Sequence, residues 1–301
     1  MRDFSLASRR RVLAGTFGLA VAGLAGCGRK EAEKVEAPTA GAPEGPPEGS
    51  LEWAVAGPWR VQDRARDVWR HPMETLRFFG LQPRMTVIDF WPGSGWYTEV
   101  LAPYLARGGG HYIAAGFQTG PGGDPAQAAL MAAFQIRFGG DRRLYGDVEL
   151  SQFGPTSGPV AEANSADMAL FLRNIHAWMA AGIAEKAFED AFAALRPGGV
   201  LGIEQHRLAP EADQDPAAAN GYVQEAFVRQ LAAEAGFAFV ASSEINANER
   251  DTRDHPFGVD TLPPSRLTAP RGEAPDPTFD RSKYDAIGES DRMTLKFRKP
   301  E

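Results

Sequence analysis

One cysteine among 301 residues excludes any disulfide within the chain. Positive charge is short as well: 32 Lys and Arg stand against 39 Asp and Glu, a net charge of −7. Gripping nucleic acid by neutralising phosphates needs the opposite balance, so no nucleic-acid partner is expected. The uncharged run from Val12 to Gly26 has 15 residues, short of the ~20 that a spanning helix needs. No internal repeat is visible. What is present is ordinary: 43% hydrophobic and 24% charged residues, a globular composition that excludes a disordered or collagen-like chain. The length suits one large α/β domain or two small ones.

The first residues follow a different logic. Ser8-Arg9-Arg10-Arg11-Val12-Leu13 leads into an apolar run that ends in Leu24-Ala25-Gly26-Cys27. A basic segment, a short apolar segment and small residues before a cleavage point predict an export signal. The twin arginines resemble a Tat signal, and Leu-Ala-Gly-Cys resembles a bacterial lipobox. On this reading residues 1–26 are removed and Cys27 becomes a lipidated N-terminus. The protein then faces the periplasm, anchored to a membrane. Loss of Arg2, Asp3, Arg9, Arg10 and Arg11 brings the net charge to −10, so acyl chains rather than basic residues hold the membrane. Residues 27–50, rich in Pro, Gly, Ala and Glu after Cys27, read as anchor and flexible tether. The globular body, 51–301, begins near Leu51.

From there strands and helices alternate. Pro72 opens a helix that Gly80 ends. Thr86–Phe90 reads as a strand, followed by a tight turn and a helix from about Trp96 to Leu105. Pro103 is expected to kink or shorten that helix, because it removes a backbone donor. His111–Ala115 reads as a second strand, Asp124-Pro125 as the start of a helix ending at Gly139-Gly140, and Val148–Phe153 as a weak third strand. The continuous apolar run Asp167–Leu172 suits a central parallel strand. An amphipathic helix from Ile183 to Leu195 is broken by Arg196-Pro197-Gly198-Gly199, ahead of a strand over Val200–Glu204. A helix over Val223–Ala235 and strands over Phe237–Ile245 and Met293–Phe297 bring the strand count to seven. Such alternation predicts a mostly parallel sheet with helices on both faces, and a ligand site beyond the carboxyl ends of the strands.

The turn after the first strand, Trp91-Pro92-Gly93-Ser94-Gly95, is the first segment with chemical content. Gly93 and Gly95 permit a ligand to approach the backbone closely at a helix N-terminus. A pyrophosphate loop would continue to a third glycine, and Thr98 stands there instead. Asp89, at the end of the strand, would repel a pyrophosphate and attract an amine. The turn therefore suits a cationic or zwitterionic ligand.

Asp89-x-x-Pro-Gly93-x-Gly95 after a strand, Asp167 opening a fourth strand and Leu195-Arg-Pro-Gly-Gly before a fifth resemble a class I methyltransferase dependent on S-adenosylmethionine (SAM). More narrowly, Gly95-Trp-Tyr-Thr-Glu-Val-Leu-Ala-Pro-Tyr104, Arg173-Asn-Ile-His-Ala-Trp178 and Gly288-Glu-Ser-Asp-Arg-Met-Thr-Leu-Lys-Phe297 resemble a bacterial group of predicted methyltransferases. The resemblance runs from about Asp63 to Phe297. It implies a Rossmann-like sheet of seven strands with the last antiparallel, and SAM as cofactor. Asp89, Trp91, Gly93 and Gly95 would then shape the methionine end of SAM. Asn174 and His176 would face a small acceptor, Asn174 orienting it and His176 taking its proton. Two positions depart from the family pattern. Trp91 replaces the usual first glycine of the loop. Ala114-Ala115-Gly116 carries no carboxylate where the family binds both ribose hydroxyls.

Other polar clusters admit plainer readings. Glu204 can pair with Arg173 or Arg207. Asp251, Asp254 and His255 could ligate a metal, but no second cluster matches them, and a lid or loop hydrogen-bond network over 246–290 is the expectation. Gly288–Arg292 reads as a turn fixed by an acid–arginine pair. The rival to methyl transfer is an exported, non-catalytic binding or envelope-structural lipoprotein on the same fold.

Overall fold

The computed structural model describes residues 45–120 and 123–301; the expected signal, Cys27 and most of the tether lie outside them. Seven strands form one sheet: β1 Thr86–Phe90, β2 His111–Phe117, β3 Val148–Phe153, β4 Ala166–Leu172, β5 Leu195–His206, β6 Ala238–Ser243 and β7 Arg292–Arg298. Their order is β3-β2-β1-β4-β5-β7-β6, and β7 runs antiparallel to both neighbours. The other strands run parallel, so the architecture is that of the class I methyltransferase-like, Rossmann-like fold. The order reverses between β1 and β4, which places a crevice beyond their carboxyl ends.

Alternation along the strands divides the core. Ile88, Phe90, Ala169 and Phe171 face the helices Ile175–Ala180, Ala184–Ala194 and Glu225–Glu234. Val87, Met168 and Leu170 face the helices Pro72–Phe79, Thr98–Gly108 and Pro125–Gly140. Asp89 shares the parity of Val87 and is therefore sent towards the second set, a point that decides its role.

Sequence signals fixed most helix ends. Gly80, with φ +88, caps Pro72–Phe79, and the Asp124 carboxylate accepts from the Ala126 N–H at 2.8 Å to open Pro125–Gly140. Pro103 does not shorten its helix, which runs through it from Thr98 to Gly108. The carbonyl that Pro103 deprives of a donor is that of Glu99, and the Trp59 indole Nε1 donates to it at 2.8 Å. The lost bond is replaced from outside the helix. The Arg196–Gly199 break also differs, since it forms the irregular start of β5, where the register against β4 shifts.

Candidate functional site

A cavity of about 330 Å³ opens at the crevice. Trp91–Ser94 beyond β1, Leu172–Asn174 at the end of β4 and His206 at the end of β5 form its floor. Arg66 and Arg70 enter from the short helical segments Arg64–Arg66 and Asp67–Arg70, and Glu289 and Ser290 from the turn before β7. Val259, Asp260 and Pro263–Ser265 of the long 246–290 segment close one side. A larger cavity of about 520 Å³ lies by His111 and Val148, at the amino ends of β2 and β3, where sheets of this kind do not bind ligands.

Trp91 has φ +48, a left-handed backbone that bulky residues rarely adopt. Glycine supplies that conformation freely; here packing does. The indole lies 4.5 Å from the Phe117 ring and 5.9 Å from Trp178, between ring centroids, and its Nε1 donates to the Phe153 carbonyl at 2.9 Å. Asn174 Nδ2 donates to the Phe90 carbonyl at 2.7 Å and to that of Trp91 at 3.2 Å. Asn174 thus stitches the end of β4 to the loop after β1. It makes no side-chain cap to the following helix.

The indole consequently reaches across the ends of β2 and β3, the region in which the resemblance expects a ribose carboxylate. Ala114 and Ala115 are fully buried there, and a Cβ on Gly116 would lie 2.3 Å from the Met131 methyl. Gly93, with φ +61, faces open space, as close approach of a ligand requires. Gly95 does not: a Cβ there would lie 2.2 Å from the Phe138 ring, so its lack of a side chain serves helix packing.

Asp89 is 1% exposed and does not line the cavity. The Tyr112 hydroxyl donates to its Oδ2 at 2.9 Å, and lies 2.8 Å from Thr98 Oγ1. Burial pushes the Asp89 carboxyl up to about 7, against the opposing Tyr112 hydrogen bond and the Arg173 charge.

His176 is on the cavity wall, but its proton is already placed. The Ile175 N–H donates to Gln205 Oε1 at 3.1 Å, which fixes the amide's orientation. Gln205 Nε2 therefore donates to the Gly221 carbonyl and to His176 Nδ1, both at 3.2 Å. With its Nδ1 lone pair engaged, His176 carries hydrogen on Nε2 and is a donor. Burial holds its pKa below the ordinary value. The role expected of His176, taking a proton from the acceptor, needs the other tautomer. His206, at the end of β5, has Nδ1 2.6 Å from Ser290 Oγ, with its ring 5.3 Å from that of His176. Burial, followed by the neighbouring His176, Arg292 and Arg173, pushes it well down, so both rings are neutral.

Two buried carboxylates anchor an arginine cluster. Glu289 accepts from Arg66 Nε at 2.9 Å, Arg70 Nε at 2.8 Å and Arg292 at 2.9 Å. Glu204 accepts from Arg173 at 2.9 Å and from the Tyr97 hydroxyl at 3.0 Å. Of the two partners expected for Glu204, Arg173 is the one found; Arg207 pairs with Asp291 and Glu244. Sequence reasoning missed Arg66 and Arg70, although their spacing of four residues ahead of the first strand was visible.

Asp251 accepts from the Tyr222 hydroxyl, from the Asp291 N–H and from His255 Nε2 at 2.7 Å. This hydrogen-bond network ties the 246–290 segment to the turn before β7. Among the described residues, no group of three or more His, Cys, Asp or Glu side chains could hold a metal ion.

No family model and no curated protein matches the chain. Solved structures similar to it include a SAM-dependent methyltransferase from Aquifex aeolicus, at 19% identity and TM-score 0.48, over 62% of this chain and 90% of that one. An arsenic(III) SAM methyltransferase from Chlamydomonas reinhardtii is similar at 15% identity and TM-score 0.44, over 85% and 74% of the two chains. The 4+2 cyclase SpnF is similar at 16% and 0.46, over 77% and 80%. At these values the likenesses carry no argument about chemistry. The fold rests on the strand order.

Proposed function

We propose that the protein is a SAM-dependent methyltransferase for a small acceptor. The observation that supports this most is the polar cavity at the strand-order reversal, floored by the open face of Gly93 and bordered by Asn174 and His176. The residues suit the methionine end of SAM: Gly93 admits the chain close to the backbone. The nucleoside end is served poorly. Each missing charged hydrogen bond to ribose costs about 1.5–3 kcal/mol, so affinity is expected a hundredfold or more below that of a site with the carboxylate. Bound, SAM supplies a methyl group already activated on a sulfonium. The chain's work is then positioning and exclusion of water. Asn174 holds the loop, and His176 donates a hydrogen bond from Nε2 to the acceptor.

Isothermal titration of the purified chain with SAM and its demethylated product tests this reading. Dissociation constants below millimolar support it; binding weaker than millimolar for both overturns it.

A second reading, a small-molecule-binding lipoprotein that has lost cofactor use, is favoured by Trp91 and by the absent carboxylate. It expects no SAM or product in native mass spectra of protein taken from the cell envelope. Stoichiometric cofactor there would defeat it.

The N-terminal segment supports export and lipid anchoring at Cys27, with the body facing the periplasm. A Tat route carries folded proteins, so cofactor can be loaded before export. Cys27→Ser is expected to release the protein from membranes, and unchanged membrane recovery would refute the anchor.

A further inference from the structure

We infer that the acceptor carries an oxyanion, a carboxylate or a phosphate, which Arg66, Arg70 and Arg173 bind together. The word acceptor rests on the methyl-transfer reading; the anion site itself does not.

The three guanidinium groups are fixed from behind and left free in front. Arg66 and Arg70 use only Nε, on Glu289, and Arg173 uses only Nη1, on Glu204. Their other N–H groups have no acceptor among the described residues, and all three side chains line the cavity. Arg70 stacks over the Trp96 ring at 4.8 Å and Arg173 over Tyr97 at 5.6 Å, so neither can swing out to water without losing a face. Arg70 is only 4% exposed. None of these free N–H groups is cut off from water, so an anion entering the cavity would replace solvent with charge-assisted hydrogen bonds.

The remaining groups on the wall do not fill that role. Glu289 is already shared by three arginines, and Asp260 is engaged by Arg271 at 3.0 Å. His176 presents a donor rather than an acceptor. SAM does not balance the wall either: one sulfonium and one ammonium against one carboxylate leave it cationic. An anionic co-substrate does, and the planar guanidinium fork matches carboxylate and phosphate geometry. A volume of about 330 Å³ is at the small end of ligand pockets and suits a small molecule.

The test is calorimetric titration of the full purified chain at low salt with inorganic phosphate and, separately, malonate, with and without the demethylated cofactor. Saturable binding of either anion is expected, at least tenfold weaker in Arg66→Gln and Arg173→Gln and unchanged in Arg64→Gln, which does not line the cavity. Thermal melting checks that each variant is folded. Arg66 is the most exposed of the three and carries the test if Arg173→Gln does not fold. Anion affinity equal or higher with cofactor present supports the acceptor assignment; mutual exclusion overturns it in favour of the cofactor's own carboxylate. Anion binding without any cofactor binding supports the anion site while defeating methyl transfer. No saturable anion binding, or equal binding in Arg66→Gln and wild type, overturns the inference.

Discussion

Trp91 and Arg173 are the first residues beyond two neighbouring strands, β1 and β4, and both have left-handed backbones, with φ +48 and +68. Asn174, next to Arg173, donates to the carbonyl of Trp91 and locks the two turns together. Left-handed backbone costs a non-glycine residue roughly 1–2 kcal/mol. Two such costs at the strand-order reversal turn one large side chain over β2 and β3 and one guanidinium into the cavity. The backbone thus decides which half of the crevice is filled and which is left open.

Trp91→Gly separates these effects. Glycine removes the backbone cost, but the indole's contacts with Phe117, Phe153 and Trp178 and its bond to the Phe153 carbonyl are lost. Deleting a large aromatic side chain costs about 3–5 kcal/mol, so a net loss of about 1–4 kcal/mol is expected after the backbone gain. Urea unfolding measures it. If the indole occupies nucleoside space, the variant also binds the demethylated cofactor at least tenfold more tightly by calorimetry. Equal affinity would remove Trp91 from the account of weak cofactor binding.

The Trp59–Pro103 pair gives a test independent of function. Trp59→Phe keeps an aromatic ring but orphans the Glu99 carbonyl, at a cost of about 1–3 kcal/mol. Pro103→Ala restores a backbone N–H able to reach that carbonyl. The two changes are therefore expected to be non-additive, with Pro103→Ala recovering most of the loss in the Trp59→Phe background and little in the wild type. A double-mutant cycle by urea unfolding measures the coupling. Strict additivity would mean that Trp59 acts by packing alone.

These two cases also mark how far the chain could be read without coordinates. The central strands β1 and β4 were legible as short apolar runs bounded by turn residues, and the more polar Val148–Phe153 also matches its expected limits. The last strand and the acid–arginine turn before it were legible too. Trp59 meets the Glu99 carbonyl from 40 residues away, and Glu289 meets Arg70 from 219 residues away. No local pattern encodes such pairings. Strand alternation sends Asp89 to the same side as Val87, and it does not line the cavity. The proton on His176 depended on Gln205, which was visible in the sequence but whose orientation was not.

Asp89 sets a pH dependence of definite sign. Its carboxyl is raised from 3.8 to about 7 by burial, so between those values the folded chain keeps a proton that the unfolded chain releases. Stability from this group is full below pH 4 and is lost as pH rises to 7. Asp89→Asn keeps an acceptor for Tyr112 and has no proton to lose. Its stability relative to wild type is expected to rise between pH 4 and 7 and to level off above that, by at most about 4 kcal/mol. The two neutral histidines contribute equally to both proteins and cancel in the difference. Unfolding curves at pH 4, 5.5 and 8 check it, and a difference that does not change with pH would show that Asp89 ionises normally.

Glu289→Gln tests the arginine cluster from the other side. The carboxylate holds Arg66, Arg70 and Arg292, and its loss leaves Glu204 as the remaining buried acid beside Arg173 and Arg292. Breaking a buried pair by removing one partner costs about 3–5 kcal/mol, so the variant's melting temperature is expected to fall by several degrees. Added phosphate or malonate would then neutralise guanidinium groups that Glu289 no longer satisfies. The anion-dependent rise in melting temperature is therefore expected to be larger in Glu289→Gln than in wild type, and to shrink as sodium chloride screens the charges. Thermal melting across an anion series at fixed ionic strength separates specific binding from screening. An equal rise in both proteins would show that the anion does not contact the arginines that Glu289 holds.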